Sequence, residues 1–150
     1  MFSADRIFTF TQTISRDDLL GQLATSLYTA GLVKDSFKAG VLQREAQYPT
    51  GIDMETHSIA IPHTEFEHVN HTGFAVGINQ AGVQFHRTDE PGELVTPDII
   101  VMMAIAPDCE KVAIIQSLFG LLADKERVQA LCKMSVAGQV KEFTDAVVTR

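Results

Sequence analysis

The sequence predicts an α/β fold in which a mixed β-sheet of about five strands is sandwiched by helices, within a single domain spanning residues 1–150. The order of patterns supports this fold, because two helical segments come first, short strand segments follow, and further helical segments end the chain. The run 99–106 is apolar at every position, as expected for a central strand that helices cover on both faces. The chain has 150 residues, of which 45% are hydrophobic, so it can bury a core without disulfides or a structural metal.

Two helices are predicted in the first third of the chain. The first follows Ser15, a favourable N-cap residue, carries a leucine stripe over 19–27 and ends near Gly31. The second begins near Asp35 and reaches about Tyr48, where the segment 49–51, Pro-Thr-Gly, interrupts it. We expect a loop after that segment.

Strand patterns occupy the middle of the chain. Residues 57–63 alternate with period two until Pro62, which cannot donate a hydrogen bond to a ladder. A second alternating segment covers 73–78, and the turn at 79–82 predicts a hairpin back into Val83 and Phe85.

Three helices are predicted at the end of the chain. The first follows Pro107 and Asp108 and is apolar around most of its circumference, which predicts that it is well buried. Two shorter helices follow Asp124 and Ser135, both of which are favourable N-cap residues.

Charge and composition exclude several classes of function. Nineteen acidic and twelve basic residues give a net charge of -7, which disfavours nucleic acid and an anionic membrane surface as partners. No basic leader with a long apolar segment is present and no apolar run approaches the ~20 residues of a spanning helix. We therefore expect a cytoplasmic protein without direct membrane insertion. Cys109 and Cys132 lack disulfide or zinc-ligand spacing and are predicted to be free thiols.

Arg44 is the first candidate functional residue. On a helical wheel it lies among Phe37, Val41 and Tyr48, which places a guanidinium within an apolar stripe. An unpaired charge in such a place is costly, so Arg44 needs an anionic or hydrogen-bonding partner. That partner can be a bound anion, or a neighbouring Glu within the protein while the stem of the arginine packs on the helix.

His63 is the second candidate, because it follows a predicted strand directly. A histidine there can act as a metal ligand, a general base or a nucleophile that accepts a phosphoryl group. The loop after it also carries His68 and His71, so a metal-binding module that uses these three histidines with Glu65 or Glu67 is an alternative. No Gly-x-Ser-x-Gly elbow, phosphate-binding P-loop or dinucleotide-binding glycine motif is present.

Two motifs resemble those of one known family. Residues 44–51 read Arg-Glu-Ala-Gln-Tyr-Pro-Thr-Gly, and twelve residues after Gly51 the segment Ile-Ala-Ile-Pro-His ends at His63. Together they resemble the fructose/mannitol-type IIA domains of the bacterial sugar phosphotransferase system. The resemblance extends to Gly-Val-Gln-Phe at 82–85, to Ala-Pro at 106–107 and to the apolar helix that follows. Within the family the chain looks most like galactitol-specific IIA proteins.

The resemblance implies a phosphocarrier role. His63 would accept a phosphoryl group from the phosphocarrier protein HPr and pass it to a cysteine of a IIB component, which serves a IIC membrane permease. No cofactor and no metal is implied, and Arg44 would be the cationic group beside the histidine. The resemblance also suggests that residues near the two motifs contact substrate or partner: Thr50, Gly51, Thr64, Phe66 and Lys111. A regulatory IIA-like protein without a transport role is a further alternative, and the sequence leaves the sugar and the oligomeric state open.

One position departs from the family pattern. Many members place a second histidine at the start of the helix after the Ala-Pro strand end, and alignment puts Lys111 there. Either Lys111 supplies a charge near the phosphoryl group, or the N-terminal end of the helix does so through its backbone.

Overall fold

The protein is a three-layer α/β/α sandwich. The computed structural model describes residues 1–107 and 111–148 of the chain. The strands of this part of the chain are β1 Ile7–Phe10, β2 Gly51–Asp53, β3 Ser58–Ala60, β4 Gly73–Asn79, β5 Phe85–His86, β6 Leu94–Val95 and β7 Ile99–Ala104. Five of them form the central sheet in the spatial order β1-β4-β7-β3-β2, and the other two form a separate sheet, β5-β6.

The sheet is mixed, as predicted. Strand β7 occupies its centre, antiparallel to β4 and parallel to β3, while β1 is parallel to β4 and β2 is antiparallel to β3. Every residue of β7 is buried, which confirms the prediction for the apolar run. Because β3 and β7 are parallel neighbours, both strands end at the same edge of the sheet. The segments that follow them therefore come close together.

Five α-helices among the described residues cover the two faces of this sheet. They are α1 Arg16–Thr29, α2 Phe37–Gln47, α3 Lys111–Leu122, α4 Lys125–Lys133 and α5 Val136–Val148. The predicted caps are present, since Ser15 accepts the backbone N–H of Asp18 and Asp124 accepts that of Arg127. Gly31 follows α1 with φ of 77°, a conformation that glycine adopts without steric cost.

The core has two parts, one on each face of the sheet. On one face, α1 and α2 pack their leucines and Phe37 against Ile100 and Met102. On the other, α3, α4 and α5 pack against Ile99 and Val101. Successive residues of β7 thus alternate between the two cores, which explains why the strand is apolar at every position.

The structure corrects three predictions about the strands and contains strands that were not predicted. The predicted hairpin is wrong: both edges of β4 are occupied by β1 and β7, and β5 pairs with β6 instead. A strand, not only a loop, follows Pro-Thr-Gly, because β2 begins at Gly51. The strand expected over 57–63 spans only Ser58–Ala60. Strand β1 was not predicted, although its four residues, Ile-Phe-Thr-Phe, are all of types that favour strands.

Helix α3 is less buried than its apolar sequence predicts. Leu118, Leu121 and Leu122 are buried, but Val112 in the first turn is 64% exposed. Val112 borders a surface cleft, whereas Ile114 and Ile115 are partly buried against the core. None of the described helices is both long and apolar enough to cross a membrane.

Candidate functional site

A cleft of about 340 Å³ opens at the edge of the sheet where β3 and β7 end. Its walls come from α2, from the loop after β3, from the end of β7 and from the first turn of α3. The lining consists of Arg44, His63, Thr64, Glu65, Phe66, Met103, Ile105, Ala106, Pro107, Val112 and Ile115. The structure thus brings together His63 and Arg44, although they are far apart in the sequence.

The ring of His63 is held in one orientation. Its Nδ1 lies 2.8 Å from the carbonyl oxygen of Ile61. A carbonyl oxygen can only accept a hydrogen bond, so Nδ1 must carry the proton. The neutral ring then has an unprotonated Nε2 with a free electron pair, which is the form that a nucleophile requires.

Arg44 lies on α2 beside this histidine. Its side chain is 35% exposed, and its Nη1 lies 3.7 Å from Oε1 of Glu65. The guanidinium carbon stands 5.3 Å from the centre of the Tyr48 ring, and Nε is buried without a hydrogen-bond partner among the described residues. Arg44 is therefore partly neutralised by an exposed carboxylate and still has donor groups available to an anion.

The loop after β3 packs closely on α2. The Thr64 hydroxyl donates a hydrogen bond to Oε2 of Glu65, and this bond, with a smaller effect from Arg44, lowers the pKa of Glu65. A Cβ at Gly40 would lie 2.9 Å from Oγ1 of Thr64, so only glycine lets the loop approach the helix this closely. The contact holds Glu65 near Arg44.

Two other candidates, Thr50 and Gly51, lie outside the cleft lining. Thr50 is buried and donates two hydrogen bonds to Glu45, from its N–H to Oε2 at 2.8 Å and from Oγ1 to Oε1 at 2.7 Å. A Cβ at Gly51 would lie 2.5 Å from the carbonyl oxygen of His86, which explains the requirement for glycine. Both residues thus belong to the closely packed structure next to the cleft and not to its lining.

Sequence reasoning missed Glu45. The buried residues of α2 are Phe37, Val41 and Glu45, so the carboxylate lies within the apolar stripe and Arg44 lies at its edge. Burial raises the pKa of Glu45, while the two hydrogen bonds from Thr50 act in the opposite direction. The sequence did contain a signal for this burial. Phe37, Val41 and Glu45 follow one another at intervals of four residues, which places them on one face of the helix.

The other histidines are not assembled with His63. His57 contacts the carbonyl oxygen of Leu122 through Nε2 at 2.6 Å, and His68 contacts the Ser36 hydroxyl through Nδ1 at 2.7 Å. Within 1–107 and 111–148, no three His, Cys, Asp or Glu side chains group in a way that could hold a metal ion. The geometry of these residues therefore gives no support to the metal-binding alternative.

The remaining candidates differ in how far the structure describes them. Phe66 is 55% exposed at the rim of the cleft, close to the apolar first turn of α3. The predicted contribution of the Lys111 side chain lies outside the described residues, as do Asp108 and Cys109. The described backbone of α3 begins at Lys111, next to the cleft.

Known protein families and proteins include relatives of this chain. The family described as phosphoenolpyruvate-dependent sugar phosphotransferase system, EIIA 2, matches residues 1–146. The galactitol-specific EIIA component of the phosphotransferase system from Escherichia coli is 27% identical over 130 residues, covering 87% of this chain and 85% of that protein.

Two solved structures show the same fold. Mannitol IIA of Escherichia coli in its complex with phosphorylated mannitol IIB has a TM-score of 0.75 at 21% identity, covering 100% of this chain and 99% of that one. The crystal structure of mannitol IIA from Escherichia coli has a TM-score of 0.73 at 23% identity, covering 95% and 98%. The family match spans nearly the whole chain, so this protein belongs to the EIIA 2 family of the phosphoenolpyruvate-dependent sugar phosphotransferase system.

Proposed function

We propose that this EIIA component is a histidine phosphocarrier in which Nε2 of His63 accepts a phosphoryl group from phospho-HPr and passes it to a cysteine of a IIB component. One observation carries the proposal: the hydrogen bond from Nδ1 to the carbonyl oxygen of Ile61 leaves Nε2 as the free nucleophile, in the cleft that also contains Arg44. The proposal treats residues 1–150 as one functional domain in the cytoplasm.

The transfer consists of two substitutions at phosphorus. In the first, the Nε2 electron pair forms a bond to phosphorus while the bond to the HPr histidine breaks, and the electron pair of that bond returns to HPr. In the second, the thiolate sulfur of IIB attacks, the P–Nε2 bond breaks and its electron pair returns to His63. The proton on Nδ1 stays in the hydrogen bond to Ile61 throughout, so neither step requires a further proton carrier.

Arg44 stabilises the charge on the transferred group. Phosphoryl transfer requires positioned donors around the equatorial oxygens, and a guanidinium offers two parallel N–H groups for them. In the resting protein the Glu65 carboxylate stands 3.7 Å from Arg44. A doubly charged phosphoryl group attracts Arg44 more strongly than one exposed carboxylate does, so Arg44 turns to phosphate and Glu65 withdraws toward solvent.

The apolar rim of the cleft provides the docking surface. Phe66 and Val112 are both large, exposed and close to His63 in the cleft lining. HPr and IIB must bind there one after the other, because a single histidine serves both. We therefore expect small, weak interfaces that release each partner quickly.

The sugar of this system is proposed from similarity. A galactitol-specific EIIA component is a relative over 87% of the chain, so galactitol uptake through a IIB and IIC pair is the pathway we propose. A regulatory role without transport is the second candidate. Phosphoryl transfer to a galactitol IIB supports the first, and a protein that is phosphorylated but fails to transfer supports the second.

The test is phosphorylation by a phosphoenolpyruvate-dependent donor system that ends in HPr. Wild-type protein should gain one acid-labile, base-stable phosphoryl group by mass spectrometry, and the His63→Ala variant should gain none. His86→Ala is a matched control, because the Nδ1 of His86 also lies 2.8 Å from a carbonyl oxygen, that of Pro91, outside the cleft lining. Full labelling of His63→Ala would refute the proposal.

A further inference from the structure

Glu45 is a buried carboxylate with no part in the proposed transfer. It is 2% exposed and lies outside the lining of the cleft. Burying a carboxylate is costly unless its oxygens receive hydrogen bonds, and here both receive them from a single residue, Thr50. These contacts hold the position of Thr50 at the end of the connection from α2 to β2.

Two hydrogen bonds that share Ile61 connect Thr50 with the ring of His63. The carbonyl oxygen of Thr50 accepts the N–H of Ile61 at 3.4 Å, which extends the β2–β3 ladder by one step. The carbonyl oxygen of Ile61 in turn accepts the Nδ1–H of His63 at 2.8 Å. Glu45 therefore holds Thr50, Thr50 is bonded to Ile61, and the carbonyl oxygen of Ile61 is the acceptor that orients the histidine.

The start of β2 cannot easily move away from this arrangement. On the other side of Thr50, the backbone of Gly51 is packed so closely that a Cβ would lie 2.5 Å from the His86 carbonyl oxygen and 2.9 Å from Val95. Glu45 thus holds Thr50 through its N–H and hydroxyl groups, and the β5–β6 strands pack against the adjacent Gly51. We expect a shift of Thr50 to be passed to Ile61 through the hydrogen bond that joins them.

We propose that Glu45 is a positioning residue for His63, acting through Thr50 and Ile61 to keep Nδ1 protonated and Nε2 free. This inference rests on the proposed function, since it concerns how the phosphorylated nitrogen is selected. Without a fixed acceptor at Ile61, the imidazole can rotate and its proton can move to Nε2, which removes the electron pair that attacks phosphorus. Glu45 is joined to Thr50 and not to His63 by hydrogen bonds, and, against the larger raising effect of burial, His63 acts on it only as a minor charge that lowers the pKa of the carboxylate.

The inference is tested by two measurements on the full chain. ¹⁵N NMR at a pH where the ring is neutral reports which nitrogen of His63 carries the proton, and a rate assay with phospho-HPr reports transfer. Wild-type His63 should show a protonated Nδ1. Glu45→Ala should give a mixture of tautomers and slow phosphorylation about 10-fold to 100-fold, the range expected when a reacting group is misplaced by about 1 Å.

Glu45→Gln serves as the matched variant. Its amide oxygen can accept the Thr50 N–H and its amide nitrogen can donate to Oγ1, so both contacts survive without the charge. We expect it to retain the wild-type tautomer and a rate within about threefold of wild type, where a tenfold change would represent 1.4 kcal/mol. A loss as large as that of Glu45→Ala would show that the charge matters and would overturn the positioning role.

Thr50 provides a second route if Glu45→Ala does not fold. Thr50→Val removes only the hydroxyl contact and should shift the tautomer in the same direction, whereas Thr50→Ser keeps the hydroxyl and should not. A folded Glu45→Ala or Thr50→Val protein with an unchanged tautomer and rate refutes the inference, and so does a wild-type His63 protonated on Nε2. The NMR measurement does not depend on phosphorylation, so a wild-type protein that accepts no phosphoryl group contradicts only the proposed function.

Discussion

The two walls of the cleft are built in different ways. The polar wall, formed by Arg44, His63, Thr64 and Glu65, is held by hydrogen bonds and an ion pair. The apolar wall is formed by the end of β7, the first turn of α3 and Phe66, and its described residues include exposed apolar side chains such as Val112. The polar wall can position charge, and the apolar wall can bind different partners through non-directional contacts.

This difference indicates a division of roles between the walls. Changes in the polar wall should alter the rate of phosphoryl transfer more than the affinity for a partner. Changes in the apolar wall should alter affinity more than the rate at saturation. The four predictions below test this separation in order of decreasing effect.

Arg44→Ala should have the largest effect. It removes the guanidinium that we propose stabilises the phosphoryl oxygens, and the loss of one positioned donor costs roughly 10²–10³ in rate. Arg44→Lys should recover only part of the rate, because lysine lacks the planar pair of donors. The measurement is the saturating rate of phosphorylation by phospho-HPr.

The control for this change is Arg87→Ala, since Arg87 forms an exposed ion pair with Asp89 outside the cleft lining. It should leave the rate unchanged. Arg44→Ala should also keep the fold, as judged by its melting temperature, because its one ion pair joins partly exposed side chains. Unfolding of Arg44→Ala would instead assign the arginine a structural role.

Phe66→Ser should change the apolar wall without changing the chemistry. The side chain is 55% exposed, so its removal should cost little stability but about tenfold in affinity for HPr, the size of effect seen for an apolar contact residue. Affinity can be measured by calorimetry or by NMR titration. Tyr28→Ser is the matched control, because Tyr28 is 54% exposed on α1 and outside the cleft lining.

A Phe66→Ser protein with normal affinity and a strongly reduced saturating rate would contradict the division between the walls. In the wild-type titration, shifts should appear around residues 61–67. Shifts confined to the last helix would place the docking surface elsewhere.

Lys111→Ala should have a smaller effect on transfer. The described backbone of helix α3 begins at this residue beside the cleft, and the N–H groups at a helix N-terminus can bind an anion. We expect the rate to fall by less than about tenfold, because the backbone of the helix would supply most of the favourable charge at this place. A loss equal to that of Arg44→Ala would show that the lysine replaces the second histidine of other family members.

Glu65→Gln should have the smallest effect and the opposite sign. Removing the carboxylate charge frees Arg44 for the incoming phosphoryl group, so phosphorylation should become about twofold faster, in keeping with the weakness of exposed ion pairs. Glu67→Gln, in the same loop, is the control. A slower Glu65→Gln protein would mean that the carboxylate assists transfer and does not compete with phosphate.

Much of this arrangement was predictable from the sequence. Ser15 and Asp124 have the chemistry of N-caps, Gly31 permits a positive φ, and an apolar run with no polar face requires a central strand. The motifs around Arg44 and His63 indicated the family. These signals are local, since each depends on a residue and its near neighbours along the chain.

Other features were decided only by the tertiary structure. The edge strands β1 and β2 contain four and three residues, which is too short for periodicity alone to identify a strand, and each is held by its pairing with β4 or β3. The burial of Glu45 also depends on the tertiary structure, because the carboxylate is tolerated there only with the two hydrogen bonds that Thr50 donates. Helical periodicity predicts which side of a helix is buried, but hydrogen bonding across a turn determines whether a carboxylate can remain there.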